Sequence, residues 1–171
     1  ITEPGRADQQ VTTDLAYDLY GNVASRKSSA AGQAARMTSF SWSPSGRFLQ
    51  SVTNAEGHST STSWDAVQAV RTSETDPNGL VTQWQYDAFQ RPLREVRPDG
   101  TATDLARTYC GSSCVTPAAL HLATSIERGA GGIAIGSSTI AYDLMDREVS
   151  RQAEQPGVST GELDRICHDY I

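Results

Sequence analysis

Lysine is almost missing from this chain: Lys27 is its one lysine in 171 residues. The formal net charge is −6, and no basic cluster stands out. Nucleic-acid binding needs a basic face to neutralise phosphates, so that class is excluded. Long apolar runs are missing too. Nothing approaches the roughly 18 apolar residues that a spanning helix requires, so no membrane span is expected. The first ten residues are polar and show no signal-peptide pattern. Large apolar side chains are scarce: hydrophobic residues make up 37%, with three Phe, and mean hydropathy is −0.44. A compact core would want more Leu, Ile and Phe. A one-layer or curved β-shell would want fewer.

What is present suits strands: Thr, Ser, Val, Tyr and Trp are plentiful. The stretch from Asp76 to Gly100 shows the pattern. Two turns, Asp76-Pro77-Asn78-Gly79 and Pro98-Asp99-Gly100, bracket two alternating runs. Leu80, Thr82, Trp84 and Tyr86 point one way, and Val81 and Gln83 the other. Tyr86 to Arg91 forms a second turn region, and Pro92 to Arg97 returns. The unit is a β-hairpin with an aromatic-Asp pair at its tip.

That unit recurs. An aromatic residue followed by a short turn appears at Tyr17-Asp18, Trp42-Ser43, Trp64-Asp65, Tyr86-Asp87 and Tyr142-Asp143. The steps from Trp42 to Trp64 and from Trp64 to Tyr86 are equal, and the step from Tyr17 to Trp42 is only slightly longer. Gly57 stands as far ahead of Trp64 as Gly79 stands ahead of Tyr86. Two anchors in phase mark a stacked repeat architecture. At the fourth position beyond Tyr17 and Trp42 stand Gly21 and Gly46; beyond Trp64, Tyr86 and Tyr142 stand Gln68, Gln90 and Asp146. Those three tips need either a different turn or a non-glycine residue in a glycine conformation.

The segments Tyr17-Asp18-Leu19-Tyr20-Gly21-Asn22-Val23 and Asp76 to Arg91 resemble YD repeats. These are the Rhs-type repeats of bacterial polymorphic toxins, insecticidal toxin complexes and animal teneurins. The resemblance covers most of the chain and is specific as far as Tyr109. It implies an all-β fold: consecutive antiparallel hairpins laid into a curved sheet, part of a hollow shell. It implies a structural wall segment, not an enzyme, that encloses and shields a C-terminal toxic cargo. The implied partners are the remaining repeats and the enclosed toxin domain, with no cofactor and with a secreted or cell-surface location. The alternative is an extracellular carbohydrate-binding or adhesion module of teneurin type.

Taken in order, residues 1–171 form one segment with units near 11–33, 34–54, 55–76, 77–100, 101–152 and 153–171. In the first unit Asn22 to Lys27 returns, and Ser28 to Gln33 is a small-residue loop. After Gly100 the period slips. Tyr109 is the next aromatic near phase after Tyr86, but Cys110 replaces the Asp. Cys110-Gly111-Ser112-Ser113-Cys114 reads as an insertion at a hairpin tip, and a long hairpin runs from about Leu120 to Tyr142. The chain opens on Ile1 and stops at Tyr170-Ile171, which looks like the start of a further unit. The expectation is a piece of a longer protein.

Trp42, Trp64, Tyr86 and Tyr142 could line a sugar-binding ladder. In phase with turns, they read instead as packing anchors between hairpins, together with Tyr17. Asp18, Asp65, Asp87 and Asp143 could bind calcium, but calcium loops need several oxygen ligands in one short loop. An Asp at a turn ordinarily accepts backbone amides. Gly21, Gly46, Gly57, Gly79 and Gly100 set the turns. Cys110 and Cys114 could form a small disulfide loop, stay reduced, or join Cys167 and His168 or His121 around zinc. Related YD proteins show a similar two-cysteine insertion, which implies a disulfide or free thiols. Cys167, His168 and Asp169 are consecutive. On a strand, neighbours point to opposite faces, so they cannot relay a proton. Gly129 to Gly136 lacks phosphate-loop spacing and reads as a turn.

Overall fold

The computed structural model describes residues 10–110 and 121–154, and the backbone of 166–167. Every element among them is a strand. The chain divides into two compact units, residues 1–81 and 82–171. The first holds β1 (Val11–Tyr17), β2 (Val23–Ala30), β3 (Arg36–Trp42), β4 (Leu49–Thr53), β5 (Ser59–Asp65) and β6 (Val70–Thr75). These pair in chain order, each antiparallel to the next. The second holds β7 (Val81–Tyr86, all but its first residue), β8 (Pro92–Val96), β9 (Ala102–Tyr109), β10 (His121–Arg128), β11 (Ala134–Tyr142), β12 (Glu148–Glu154) and β13 (Ile166–Cys167). These too pair antiparallel in chain order.

The period of two is visible in exposure. In β5, Thr60, Thr62 and Trp64 are half-buried, while Ser59, Ser61 and Ser63 are exposed. In β7, Thr82, Trp84 and Tyr86 are half-buried, while Val81, Gln83 and Gln85 are exposed. One face of each strand is therefore partly covered by its neighbours, and the other is open. Among the described hydrophobic side chains, only Ala102 at 2% and Ala141 at 4% exposure are buried. Stability must come from backbone ladders and cross-strand pairs. In the second unit Asp104 on β9 takes Arg94 of β8 at 3.4 Å and Arg128 of β10. Arg97 meets Glu127 of β10 at 3.2 Å and also bonds Thr103. Each opposite-charge pair of this kind contributes about 0.2–1 kcal/mol.

Most of the described tips share one geometry. Residue 1 donates its N–H to the carbonyl of residue 5, and residue 4 donates back to the carbonyl of residue 1. At Asp76 to Leu80 these bonds are 2.9 and 3.0 Å, and at Asp143 to Arg147 they are 2.9 and 3.1 Å. Residue 4 has positive φ: Gly79 at 81° and Gly100 at 80°. This is a type I turn closed by a left-handed residue, a standard three-residue hairpin loop.

The tips without glycine solve the problem in both available ways. Gln90 and Asp146 adopt φ of 64° and 60°, the glycine conformation itself. At the Trp64 tip it is Ala69, not Gln68, that takes positive φ, at 56°. The loop there is Ala66 to Ala69, one residue longer, between the paired Asp65 and Val70. The first hairpin also differs from expectation: Ser28, Ser29 and Ala30 are not a loop but pair with Thr13, Thr12 and Val11. Their small side chains conceal the strand, because ladder bonds come from the backbone alone.

One device escaped the alternation pattern. Pairing slips by one residue just before the aromatic that ends β1, β3, β7 and β11, and just before Trp64 in β5. Ala24, Gln50, Thr72, Leu93 and Val149 are the extra residues on the returning strands. Such bulges bend the strand and raise its local twist.

A left-handed backbone costs an L-residue roughly 1–2 kcal/mol. Gln90→Gly should therefore stabilise the chain by about 0.5–1 kcal/mol, net of the entropy glycine loses on folding. Urea denaturation at constant m-value checks this; an unchanged or lower midpoint would contradict the strain at this tip.

Candidate functional site

The residues singled out by sequence gather at the hairpin tips. Tyr17, Trp42, Tyr86 and Tyr142 each end a strand, and Trp64 is the penultimate residue of β5. Tyr17 is 58% exposed, whereas Trp42, Trp64, Tyr86 and Tyr142 are half-buried. No strand precedes β1 among the described residues, so nothing described covers the Tyr17 ring from that side.

Two of the tryptophans carry a specific bond. Trp42 donates its indole Nε1–H to the Val23 carbonyl at 2.9 Å. Trp64 does the same to Leu49 at 2.8 Å. Val23 and Leu49 each begin the returning strand of the preceding hairpin. Both lie past the last ladder pairs, Ser25 with Ser39 and Ser51 with Ser61. Each indole thus satisfies a carbonyl where backbone pairing between hairpins has stopped. Trp64 also stacks on Phe48, with centroids 5.3 Å apart. Among the described residues the five anchors do not stack on one another: Trp64 takes Phe48 and Tyr142 takes His121, at 5.0 Å.

The first two tips of the first unit are tied together. Tyr20 donates its hydroxyl to the Pro44 carbonyl at 2.8 Å, and Asn22 donates its amide to the Gly46 carbonyl at 2.8 Å. A Cβ built on Gly46 would come within 2.5 Å of the Tyr20 ring. Gly46 therefore serves two needs, a φ of 70° and the space for that ring. Turn chemistry in the sequence discloses the first need and not the second, because Tyr20 and Gly46 belong to different hairpins.

The recurring aspartates hold their own loops. Asp87 accepts the amides of Phe89 at 2.8 Å and Arg91 at 3.0 Å on one carboxylate oxygen, and ion-pairs Arg91 at 2.6 Å. Asp143 repeats this with Met145 and Arg147. Asp18 accepts the amides of Tyr20 and Asn22, and Asp65 those of Val67 and Gln68. Asn54 plays the same part with an amide oxygen toward Glu56 and His58. Backbone amides, from Leu80 and Arg91 first, hold the Asp76 and Asp87 carboxyls below their ordinary 3.8. Asp143 is lowered likewise, first by the Arg147 amide. For Asp18, burial opposes the shift, but hydrogen bonds led by the Asn22 amide outweigh it.

Among the described residues, no three His, Cys, Asp or Glu side chains cluster closely enough to hold a metal. Cys110 is disulfide-bonded. The side chains of Cys114 and Cys167 lie outside those described, as do His168 and Asp169. Gly129 to Ile133 is a hairpin tip, with Gly132 at φ 79°.

Trp64→Phe keeps a ring against Phe48 but orphans the Leu49 carbonyl, and should cost about 1 kcal/mol. Trp64→Ala should cost about 3 kcal/mol. Equal losses for both, measured by urea midpoints, would remove the indole bond from the account. Acid should also destabilise the tips. Groups with lowered folded values stabilise above their unfolded value and lose that contribution as pH falls through the folded ones. Melting temperature should therefore drop below about pH 3.8. Changing Asp76, Asp87 and Asp143 together to Asn, the residue already used at position 54, should flatten that drop.

Residues 71–102 match the family model described as RHS Repeat. No curated protein matches the sequence. Among solved structures, the fold is similar to the crystal structure of TcdB2-TccC3-TEV, with TM-score 0.61 and 16% identity. It is similar also to that of TcdB2-TccC3, with TM-score 0.60 and 16% identity. Each match covers 84% of this chain and 8% of the other, so the chain spans a small part of those structures. The chain thus matches the RHS repeat over residues 71–102, and its antiparallel hairpins share their fold with TcdB2-TccC3.

Proposed function

We propose that this segment is a length of wall in an RHS-repeat toxin shell that encloses and shields a toxic domain. The observation that carries the reading is the near absence of a core. Only two alanines are buried among the described hydrophobic residues, while Leu19, Val67, Phe89 and Leu144 stand 79–94% exposed at tips. A chain built this way leaves large apolar side chains for neighbouring repeats to cover. The RHS match and the shared fold support the same reading. The work of such a wall is steric, and its residues hold shape instead of carrying out chemistry. The wall is exported with its contents.

A teneurin-type recognition module is the second reading. It draws on Tyr17 and Tyr109, which are 58% and 74% exposed. It gains less from Trp42 and Trp64, whose indole N–H groups are already spent on backbone carbonyls.

The test uses the full-length protein and limited proteolysis. The enclosed domain should resist protease when the wall is intact, yet be digested when expressed alone. Trp64→Ala should open the wall and restore digestion. A downstream domain cut equally fast in both settings would refute enclosure, and specific glycan binding with no protection would favour the recognition module.

A further inference from the structure

The second unit contains a trough that none of the repeat geometry requires. Strand neighbours at even spacing share a face, so Ala123 and Ser125 of β10 lie side by side. Arg107 and Leu105 of β9 stand directly opposite them. Across the other edge, Ile140 and Ser138 of β11 stand opposite the same two residues. Small side chains on the middle strand, with the longer Arg107, Leu105 and Ile140 on its flanks, make a channel along β10. Its walls are two strand spacings apart, about 10 Å. The cavity measures about 420 Å³ and extends to the bulge residue Leu93. That falls within the roughly 300–1,000 Å³ of ordinary ligand sites.

Further side chains on the same face flank both ends. At one end His121 stacks on Tyr142 at 5.0 Å and tilts against Tyr109 at 6.2 Å. At the other, Glu127 is engaged by Arg97 and Thr103. Most of the lining is apolar or small, and the Asp87–Arg91 ion pair that also borders the cavity neutralises itself. That leaves Arg107 as the unbalanced charge. Arg91, Arg94, Arg97, Arg128, Arg147 and Arg151 each pair with a carboxylate. Arg107 is exposed and has no acidic partner among the described residues. In a chain of net charge −6, an arginine left unpaired beside a cavity is complementary to a carboxylate from elsewhere.

We propose that this trough binds an extended peptide, with an aliphatic side chain seated on Ala123 and Ser125 and a carboxylate two residues along reaching Arg107. In an extended peptide, residues two apart point the same way, so both side chains can face the sheet. The site does not depend on what the rest of the sheet encloses.

The test is an NMR titration of the isotope-labelled 171-residue chain with acetyl-Leu-Gly-Asp-amide. Amide shifts should concentrate at Ala123, Ser125 and Ile140, and binding should weaken as salt rises. The acetyl-Leu-Gly-Asn-amide peptide, or the Arg107→Gln variant, should bind roughly tenfold more weakly, the loss of one charge-assisted hydrogen bond. Arg107→Glu should prefer acetyl-Leu-Gly-Lys-amide. Because Arg107 is exposed and unpaired, these variants should melt with the parent. Equal affinity for the Asp and Asn peptides, shifts confined to other strands, or no binding at millimolar peptide would overturn the proposal.

Discussion

A single-layer hairpin has nothing behind it, and every feature of this chain answers that constraint. No second sheet and no helix supplies apolar cover among the described residues, and two alanines are all that is buried of their hydrophobic side chains. Each hairpin must therefore be held by the ones beside it. Backbone ladders do most of this, but ladders stop short of the tips. The Trp42 and Trp64 indoles continue the seam by bonding carbonyls that the ladder leaves open. The Tyr20 and Asn22 bonds to the Pro44 to Gly46 tip do so from the loops. Cross-strand charge pairs on Asp104 and Glu127 fasten the second unit in the same way.

The tips are held for a related reason. A loop that packs against nothing has only its own atoms to hold it. Aspartate meets that need by accepting two backbone amides on one oxygen, and at Asp87 and Asp143 an arginine locks the other. A glycine, or a residue forced into its conformation, closes the turn. A bulge beside the tip then bends the returning strand. Small hydrogen-bonding side chains thus replace the large apolar ones that a layered fold would use. That is why so little Leu, Ile and Phe suffices. It also leaves the open faces available for contacts with other molecules, including the trough along β10.

Much of the hairpin order could be read from particular residues. Gly79 and Gly100 fix where the chain reverses, because few other residues tolerate positive φ, and Pro77 and Asp99 favour the turn positions before them. The alternation from Thr60 to Trp64 fixes which side chains share a face. What could not be read were the features that depend on a partner strand. A bulge at Leu93 leaves no mark on alternation, since it exists only relative to β7. Ser28 to Ala30 look like a loop until they are set against Val11 to Thr13. Ala69, not Gln68, takes the strained angle because that loop is one residue longer, and loop length is set by where pairing closes.

The sequence by itself determined the all-β class and the repeat of hairpins, because alternation and turn chemistry are local and each hairpin carries its own copy. It also set the net charge at −6, since charge is a property of composition. Only the tertiary structure decided what the repeated aromatics touch, that Gly46 must leave room for Tyr20, and that Arg107 stands apart from the charge pairs around it. Those facts are set by register between strands. Register is a relation between distant segments, and one residue of slip changes every contact while leaving the local pattern unchanged.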